Sequence, residues 1–459
     1  WVEVGVIDER YVPAYYEDTD LAFEAVNRGY KVVFHPHSVV THFEGKSHGT
    51  DETSGTKAHQ VTNHLKFQEK WQKKLASEHF KNAEHVFQAR DRSVNKRTIL
   101  VIDHYVPWFD KDAGSRSTYM YLEMFIELGY NVKFLGDNFF PHQPYTDYLN
   151  EMGVETLHGQ WYAENWSEWI KLNAEYIDVV YLHRPHIAPK YIDFIRKHTS
   201  AKIVYQCHDL HHVRIQRDFE NTGQKHLKKE AQRMKKIEEG IFNTVDISLT
   251  FSHDEKLILD GYNLSSRVEQ IPLFLYDDIE EKSTEHKERE GILFVGGFNH
   301  KPNEEGVKWF IKDVLPSVLK KLPTTMFYIV GSNVPKDIAS QASKNITVLG
   351  FVSDDELAQL YQKVKICILP LLHGAGVKGK LVEAMQCKTP VVSTTVGVEG
   401  VNASSHGILG FDNARDFSSE LIKALTDEGH WLRLQHSFSE AFMDEFSKKN
   451  FSKTCVEIF

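Results

Sequence analysis

Short apolar runs alternate with longer amphipathic segments from residue 98 to the end of the chain. The runs are rich in β-branched residues and bounded by glycine or polar residues, which is typical of buried strands. They lie at residues 98–102, 131–135, 178–182, 202–206, 246–251, 291–295, 326–330, 348–352, 366–369 and 390–394. Because segments with helical spacing separate these runs, the pattern predicts an α/β fold built on parallel sheets.

The first 90 residues have a different pattern. Apolar residues recur at helical spacing over 21–26, after an acidic cluster, and Gly29 ends that predicted helix. Short strands are predicted at 31–34 and 39–40, and a helix over 56–87 closes the segment. A charged stretch over 82–97 is the predicted linker to the rest of the chain.

Composition and charge narrow the classes of function. The 459 residues carry a net charge of −10, with 41% hydrophobic residues and a mean hydropathy of −0.41. This acidic balance argues against general nucleic-acid binding, and no apolar run approaches the roughly 18 residues that a membrane span needs. The four cysteines show no C-x-x-C spacing, which favours a reduced cytoplasmic compartment and no zinc site. Since the chain opens at Trp1 inside a predicted domain, we expect it to be part of a longer protein.

The most informative stretch runs from residue 371 to 400. Glycines leave its backbone unshielded just before a predicted helix, and lysines lie beside them; these residues are Gly374, Gly376, Gly379, Lys378 and Lys380. Exposed amides at a helix N-terminus, next to ammonium groups, suit a pyrophosphate. Glu383, one turn into the helix, could accept hydrogen bonds from a ribose. An ordinary strand–loop–helix turn remains the alternative for the glycines alone.

Two further loops have the composition of phosphate sites. Gly114 lies in a tight turn between a predicted strand and a helix, and Gly297 begins a loop that contains His300 and Lys301. A glycine turn between strand and helix is the usual opening of a phosphate-binding βαβ unit. Each of these loops is weak support when taken alone.

Polar side chains also follow two of the predicted central strands. His208 comes after the strand at 202–206, and His183 with Arg184 comes after the strand at 178–182. The carboxyl ends of parallel strands face the ligand cleft in open α/β sheets, so these side chains are candidates to line it. A lone histidine is more often structural. Arg116 could add positive charge at the Gly114 turn, but an exposed helix arginine is the favoured interpretation.

The stretch 371–400 resembles the nucleotide-sugar-binding segment of family 4 glycosyltransferases, which have the GT-B fold. Glu383, the Ala-Met pair that follows it and the Pro-Val-Val run at 390–392 match that segment, whereas the first glutamate of the family would fall at Ala375. The resemblance covers residues from about 98 onward. It implies two Rossmann-like doubly wound domains that face a cleft, over 98–280 and 288–459.

The same resemblance implies a function and a set of site residues. The enzyme would move a sugar from a nucleotide-diphosphate-sugar donor to a glycan or lipid-linked glycan of a bacterial surface polysaccharide, such as O-antigen. It would retain the anomeric configuration and need no cofactor, and His208 would be its catalytic residue beside the donor sugar. The implied donor-binding residues are Gly114, Gly297, His300, Lys301, Gly374, Gly376, Lys378, Lys380 and Glu383. A nucleotide-sugar epimerase on the same scaffold, or a non-catalytic docking module, remains open.

The predicted helix over 224–241 is crowded with lysines and arginine around one apolar face. A solvated helix face is the favoured interpretation. The alternative is contact with an anionic membrane surface or a lipid-pyrophosphate acceptor. We accordingly expect a cytoplasmic protein. The alternative is a cytoplasmic protein with peripheral contact at the inner face of the plasma membrane.

Residues 1–90 resemble the C-terminal part of family 2 glycosyltransferases, which have the GT-A fold. The match comprises the Tyr-Glu-Asp-x-Asp-Leu run at 16–21, Arg-Gly-Tyr at 28–30, Pro36 and His42. The resemblance implies that Asp18 is the base of the intact domain and that His42 ligates its divalent metal. The nucleotide-binding strands of that family are not in this sequence, so we predict that this truncated GT-A fragment is not catalytic here.

Overall fold

The computed structural model describes residues 5, 7–33, 38–41, 55–81, 84–89, 94–276, 285–374 and 376–459. The chain divides into two compact units. The first comprises residues 1–97 with 129–131, and the second comprises 98–128 with 132–459.

The described part of the first unit is helical. Its helices are α1 (Glu17–Asn27), α2 (Ala58–Glu78) and α3 (Val86–Ala89), preceded by a 3-10 turn at Glu9–Tyr11. The buried side chains of Tyr11, Phe67 and Trp71 form a small core. Asp20 is buried against this core, where its carboxylate accepts hydrogen bonds from Tyr11 Oη at 3.0 Å and Trp71 Nε1 at 2.7 Å and pairs with Lys70 Nζ at 2.7 Å.

The strand predictions in this unit are wrong for the residues that the structure describes. Residues 31–33 and 39–40 are in no strand, and the side chains of Val39 and Val40 are 80% and 86% exposed. A strand needs a hydrogen-bonded neighbour, and the described part of this unit contains none to pair with. His42 lies outside the described residues. The predicted helix over 56–87 is shorter than expected, because α2 ends at Glu78 and α3 falls inside the predicted linker.

The first half of the second unit is a parallel sheet with helices between its strands. Its strands are β1 (Thr98–Asp103), β2 (Asn131–Gly136), β3 (Glu155–Leu157), β4 (Val179–His183), β5 (Lys202–Cys207), β6 (Ile247–Thr250) and β7 (Arg267–Gln270). Its helices are α4 (Ala113–Glu127), α5 (Tyr145–Met152), α6 (Gln160–Leu172), α7 (Ala188–His198), α8 (His211–Thr222), α9 (Lys225–Phe242) and α10 (His253–Asp260). The strand order is β3-β2-β1-β4-β5-β6-β7.

The second half repeats this plan with a smaller sheet. Its strands are β8 (Ile292–Val295), β9 (Phe327–Val330), β10 (Ile346–Gly350), β11 (Ile366–Leu369) and β12 (Val391–Ser393), in the order β10-β9-β8-β11-β12. Its helices are α11 (Lys301–Trp309), α12 (Leu315–Lys321), α13 (Lys336–Ala339), α14 (Asp354–Lys363), α15 (Gly379–Gln386), α16 (Thr395–Val398), α17 (Ala414–Thr426), α18 (Glu428–Phe446) and α19 (Lys448–Ile458). Neighbouring strands of this sheet pair in parallel.

Two features of this architecture position a site. In each sheet the chain leaves the first strand in one direction and later returns on its other side, so β1/β4 and β8/β11 are switch points, where open sheets bind ligands. The last helix, α19, packs back on the first half: the ring of Phe459 lies 4.9 Å from that of Tyr181, and Lys202 Nζ donates to the Ile458 carbonyl at 3.0 Å. The prediction of two doubly wound halves is therefore confirmed.

Among the described residues, no helix combines the length and the apolar character that a membrane crossing requires.

Candidate functional site

Two helix N-termini meet where the halves face each other. A side-chain carbon built on Gly379, the first residue of α15, would lie 3.1 Å from the Phe274 ring and 3.9 Å from Cβ of Ala113, the first residue of α4. The α4 terminus is capped, since Ser115 N donates to the Asp112 carboxylate at 2.8 Å. The α15 terminus receives no side-chain cap from the described residues. Its free amides and dipole therefore remain available for an anion.

Both predicted lysines lie at this uncapped terminus and are largely buried. Lys380 Nζ donates to Asn303 Oδ1 at 2.6 Å and lies 4.5 Å from the Phe294 ring centroid. Lys378 Nζ donates to the Gly376 carbonyl and lies 3.7 Å from the Glu399 carboxylate. Burial lowers the pKa of Lys380 to about 7 and that of Lys378 to about 8. The negative charge near each lysine is therefore too small to offset burial, and an added anion would favour the protonated form of both side chains.

Glu383 has a partner that the sequence interpretation missed. Arg116 Nη1 donates to Glu383 Oε1 at 2.8 Å across the two halves, and the Arg116 guanidinium lies 5.1 Å from the Phe274 ring. The interpretation of Arg116 as a merely exposed helix residue was therefore wrong. Tyr361 Oη donates to the other Glu383 oxygen at 3.4 Å. Burial raises the pKa of Glu383, and the charge of Arg116 opposes part of that shift.

His208 lies at the opposite wall, beside Gly114. A side-chain carbon on Gly114 would lie 3.6 Å from His208 Nδ1 and 3.5 Å from Arg184 Nη2, so the glycine leaves that imidazole nitrogen accessible. His208 Nε2 lies 3.0 Å from His183 Nδ1, and Arg184 Nε donates to Asp103 Oδ1 at 2.6 Å. Burial lowers the pKa of both imidazoles, to about 4 for His183, so the pair is neutral at pH 7.

The hydrogen-bond network indicates which nitrogen of His208 carries the proton. His183 Nε2 is buried with no hydrogen-bond partner. A buried N–H without an acceptor is rarer than a buried lone pair without a donor, so we place the His183 proton on Nδ1, where it is donated to His208 Nε2. His208 then carries its own proton on Nδ1, the nitrogen beside Gly114. The cleft-facing nitrogen of His208 is therefore a hydrogen-bond donor.

The same wall holds a set of potential metal ligands that the sequence did not indicate. Ligand atoms of Asp103, His183 and His208 all lie within 4.8 Å of one another. The Arg184 guanidinium already neutralises the Asp103 carboxylate, and with His183 and His208 it holds the pKa of Asp103 below its usual range despite burial. Hydrogen bonds thus account for this arrangement.

A cavity of about 960 Å³ adjoins the lysines between the two halves. Its walls come from α8, α10 and the loops after β8, β11 and β12, and they include three predicted residues: His300, Gly374 and Lys378. Arg217 spans the boundary by donating to the Gly374 carbonyl at 3.1 Å and pairing with Glu399 at 2.7 Å. Arg217 and Glu399 were missed because they are far apart in sequence and no local motif connects them.

The remaining predicted residues lie in different surroundings. Gly297 stays in the loop after β8, where its carbonyl accepts a hydrogen bond from Asn303 Nδ2 at 2.8 Å. Lys301 points outward: its side chain is 80% exposed and lies 3.8 Å from Glu305. Asp18 is exposed at the first turn of α1, where it accepts a hydrogen bond from its neighbour Thr19 at 2.7 Å. Ala375 lies outside the described residues.

Parts of the chain are similar in sequence to known proteins. Residues 289–427 match the family model described as "Glycosyl transferases group 1". The chain is 32% identical over 155 residues to an "Uncharacterized 44.6 kDa protein in cps region" of Klebsiella pneumoniae. That match covers 32% of this chain and 38% of the relative, so the chain spans well under half of the relative's length.

Solved structures of similar shape agree on the fold. A sucrose-phosphate synthase from Thermosynechococcus elongatus superposes with a TM-score of 0.56 at 15% identity, covering 79% of this chain and 98% of that one. A glycosyltransferase from Rickettsia africae gives 0.57 at 15% identity, with the same coverage. Anabaena Alr3699/HepE in complex with UDP-glucose gives 0.54 at 14% identity, covering 78% and 98%. The second unit therefore has the GT-B fold, and within it residues 289–427 are similar to glycosyltransferases of group 1.

Proposed function

We propose that the chain transfers a sugar from a nucleotide-diphosphate-sugar donor to a glycan acceptor. The observation that carries this proposal is the uncapped N-terminus of α15, with Lys378 and Lys380 beside it, at the edge where the two sheets face each other. A diphosphate is the anion that fits this arrangement, because main-chain amides, the helix dipole and two ammonium groups all stabilise negative charge. The UDP-glucose complex of the similarly folded HepE supports a nucleotide sugar as donor.

In this proposal the protein's own cations stabilise the leaving group. Negative charge develops on the diphosphate as the glycosidic bond breaks, and Lys378, Lys380 and the α15 amides meet it in a site already arranged for charge. Glu383, held by Arg116, accepts hydrogen bonds from the ribose. His208 donates from Nδ1 to an oxygen of the donor sugar and so orients the reacting carbon.

The finer parts of the proposal concern stereochemistry, acceptor and location. We propose retention of the anomeric configuration, through front-face displacement and without a cofactor, as the family 4 resemblance implies. The relative from the cps region supports a capsular or other surface polysaccharide as product. Since nucleotide sugars are cytoplasmic metabolites, the reaction would take place there. The exposed lysines of α9, among them Lys225, Lys228 and Lys229, would supply any contact with an anionic membrane.

We also propose that the first unit derives from a family 2 domain. The start of α1 supports this proposal, because it places Asp18 at an exposed first turn, as a base that meets an acceptor would require. In the intact domain Asp18 would act with a divalent metal, for which His42 is the candidate ligand.

The deciding experiment is a donor screen with matched lysine variants. The chain is incubated with common UDP-, GDP- and dTDP-sugars, and both nucleotide release and sugar identity are followed. Lys380→Met and Glu383→Ala should abolish release, whereas Lys301→Met, which changes an exposed lysine of the same half, should not. Binding of no nucleotide diphosphate in calorimetry would refute the proposal. Conversion of the donor sugar to its epimer, without transfer, would favour the epimerase instead.

A further inference from the structure

The loops after β1 and β2 carry a dense group of aromatic side chains that the proposed chemistry does not use. We call this group the aromatic shelf; it consists of Tyr105, Trp108, Phe109, Phe140, Tyr145 and Tyr148. Both loops leave the carboxyl ends of their strands, which is the edge that holds His183 and His208. The shelf therefore lies on the cleft side of the first half.

The shelf is continuous with the wall of the cleft that holds His183 and His208. Asp137 N donates to the Asp103 carbonyl at 2.8 Å and Asn138 N to the His104 carbonyl at 3.1 Å, so the two loops are held together from their first residues. Tyr105 comes two residues after Asp103, and its ring centroid lies 5.4 Å from that of Trp108. A ligand that extends from His208 along this wall would therefore reach Tyr105 first.

The rings contact one another in a way that leaves apolar surface open. Trp108 and Tyr145 are stacked with centroids 5.9 Å apart at 17°, and Phe109 meets Tyr145 edge-on at 5.5 Å. Phe140 is 58% exposed and Tyr148 is 47% exposed. A group of this kind, open to solvent beside a cleft, is typical of a ligand-binding surface rather than of a core.

The rim of the shelf indicates the chemistry of the ligand. Asp110 accepts from Tyr145 Oη at 2.6 Å and from Lys111 at 2.8 Å, and Gln143 donates to Asp147 at 3.0 Å. The rim thus offers carboxylate, amide and ammonium groups for hydroxyls. Because these rim groups combine one cation, Lys111, with the two carboxylates of Asp110 and Asp147, together they are negative, which disfavours a phosphate or an anionic lipid head group. Aromatic faces suit an apolar ring surface. A neutral pyranose has both features, since one face exposes C–H groups and its edge carries hydroxyls.

We propose that the aromatic shelf binds a neutral pyranose ring of the acceptor glycan, one or more units from the sugar that receives the transferred residue. This inference rests on the proposed function, because the bound sugar is an acceptor only if the protein transfers sugars. It implies that the acceptor is already a saccharide chain, so a preceding glycosyl transfer must supply it.

Saturation-transfer NMR on the full chain tests this directly, because it detects sugar binding without requiring any transfer. The probes are methyl glycosides of glucose, galactose, mannose, rhamnose and N-acetylglucosamine. At least one should receive saturation on the C–H protons of a single ring face. The Phe140→Ala/Tyr148→Ala double variant should reduce that signal about threefold to tenfold, the range expected for aromatic contacts. Leu432→Ala, which removes a half-exposed apolar side chain on α18, should leave it unchanged.

The competing outcomes are separable. No saturation on any probe, or equal signals in the double variant and the wild type, overturns the shelf proposal. Binding to vesicles of phosphatidylglycerol and phosphatidylethanolamine that the double variant abolishes, without sugar binding, also overturns it, since the shelf would then be a membrane contact. Calorimetry with UDP, GDP and dTDP, run on the same samples, reports the donor site. Nucleotide binding without sugar binding refutes the shelf alone, and sugar binding without binding of any of the three nucleotides refutes the proposed function.

Discussion

The strongest quantitative prediction concerns proton uptake when the donor binds. In the free protein, burial lowers the pKa of Lys380 to about 7 and that of Lys378 to about 8, from an ordinary value of 10.5. A diphosphate beside both groups favours their charged forms and raises both pKa values. Because the bound state then holds more protons than the free state, binding above pH 7 takes up protons and weakens as pH rises.

The magnitude follows from these two pKa values. At pH 8 Lys380 is about nine-tenths neutral and Lys378 about half neutral. Binding of UDP should therefore take up about 1.4 protons and weaken about 25-fold for each pH unit near pH 8. Isothermal titration calorimetry in Tris and HEPES at equal pH measures the uptake, because these buffers differ in ionisation enthalpy. Lys380→Met, which keeps the contact with Phe294 but cannot titrate, should lose more than half of the uptake.

Two controls make this test decisive. Lys301→Met should match the wild type, since that lysine is 80% exposed and directed away from the cavity. The stability of the free protein should move in the opposite direction to the affinity: a lysine whose folded pKa is lowered binds fewer protons than in the unfolded chain, so its contribution to stability grows as pH rises from 7 to 10. Uptake of no protons at pH 8, or equal uptake in Lys380→Met, would refute the assignment of these lysines to the diphosphate.

Three further predictions test other contacts. A double-mutant cycle of Arg116→Met and Glu383→Gln, measured by urea unfolding, should give a coupling free energy of about 1 kcal/mol. This energy is modest because the Arg116 side chain is about a third exposed. A coupling free energy of zero would contradict the ion pair. His183→Ala should lower turnover about tenfold without changing the Kd of UDP, because His208 loses the group that orients it; an equal loss in Kd would show a donor-binding role instead. Asp20→Ala should lower the free energy of unfolding of the first unit by about 3 kcal/mol, as seen by hydrogen exchange in α1 and α2, because a buried carboxylate with three partners is removed. Asp18→Ala, on the exposed face of the same helix, should change it by less than about 0.5 kcal/mol.

Local sequence patterns predicted the structure best where a strand or helix depends mainly on residues that are adjacent in the chain. Each apolar run from residue 98 onward lies within or overlaps a strand, and the glycine-rich turn before α15 begins that helix at Gly379 as expected. The same approach was wrong at residues 31–33 and 39–40. The adjacent valines at 32–33 and 39–40 favour a strand, but a strand exists only when a neighbour supplies its hydrogen bonds.

The sequence by itself determined the α/β order of the second unit and the positions of the glycines, lysines and histidines at strand ends. These properties depend on periodicity and on residues adjacent in the chain. Only the tertiary structure decided which side chains meet: Arg116 with Glu383, Arg217 with Glu399, and His183 with His208. The members of the first two pairs lie in different halves of the second unit, so their contact depends on how those halves dock. Burial in that docked arrangement also lowers the lysine pKa values, which no local pattern encodes.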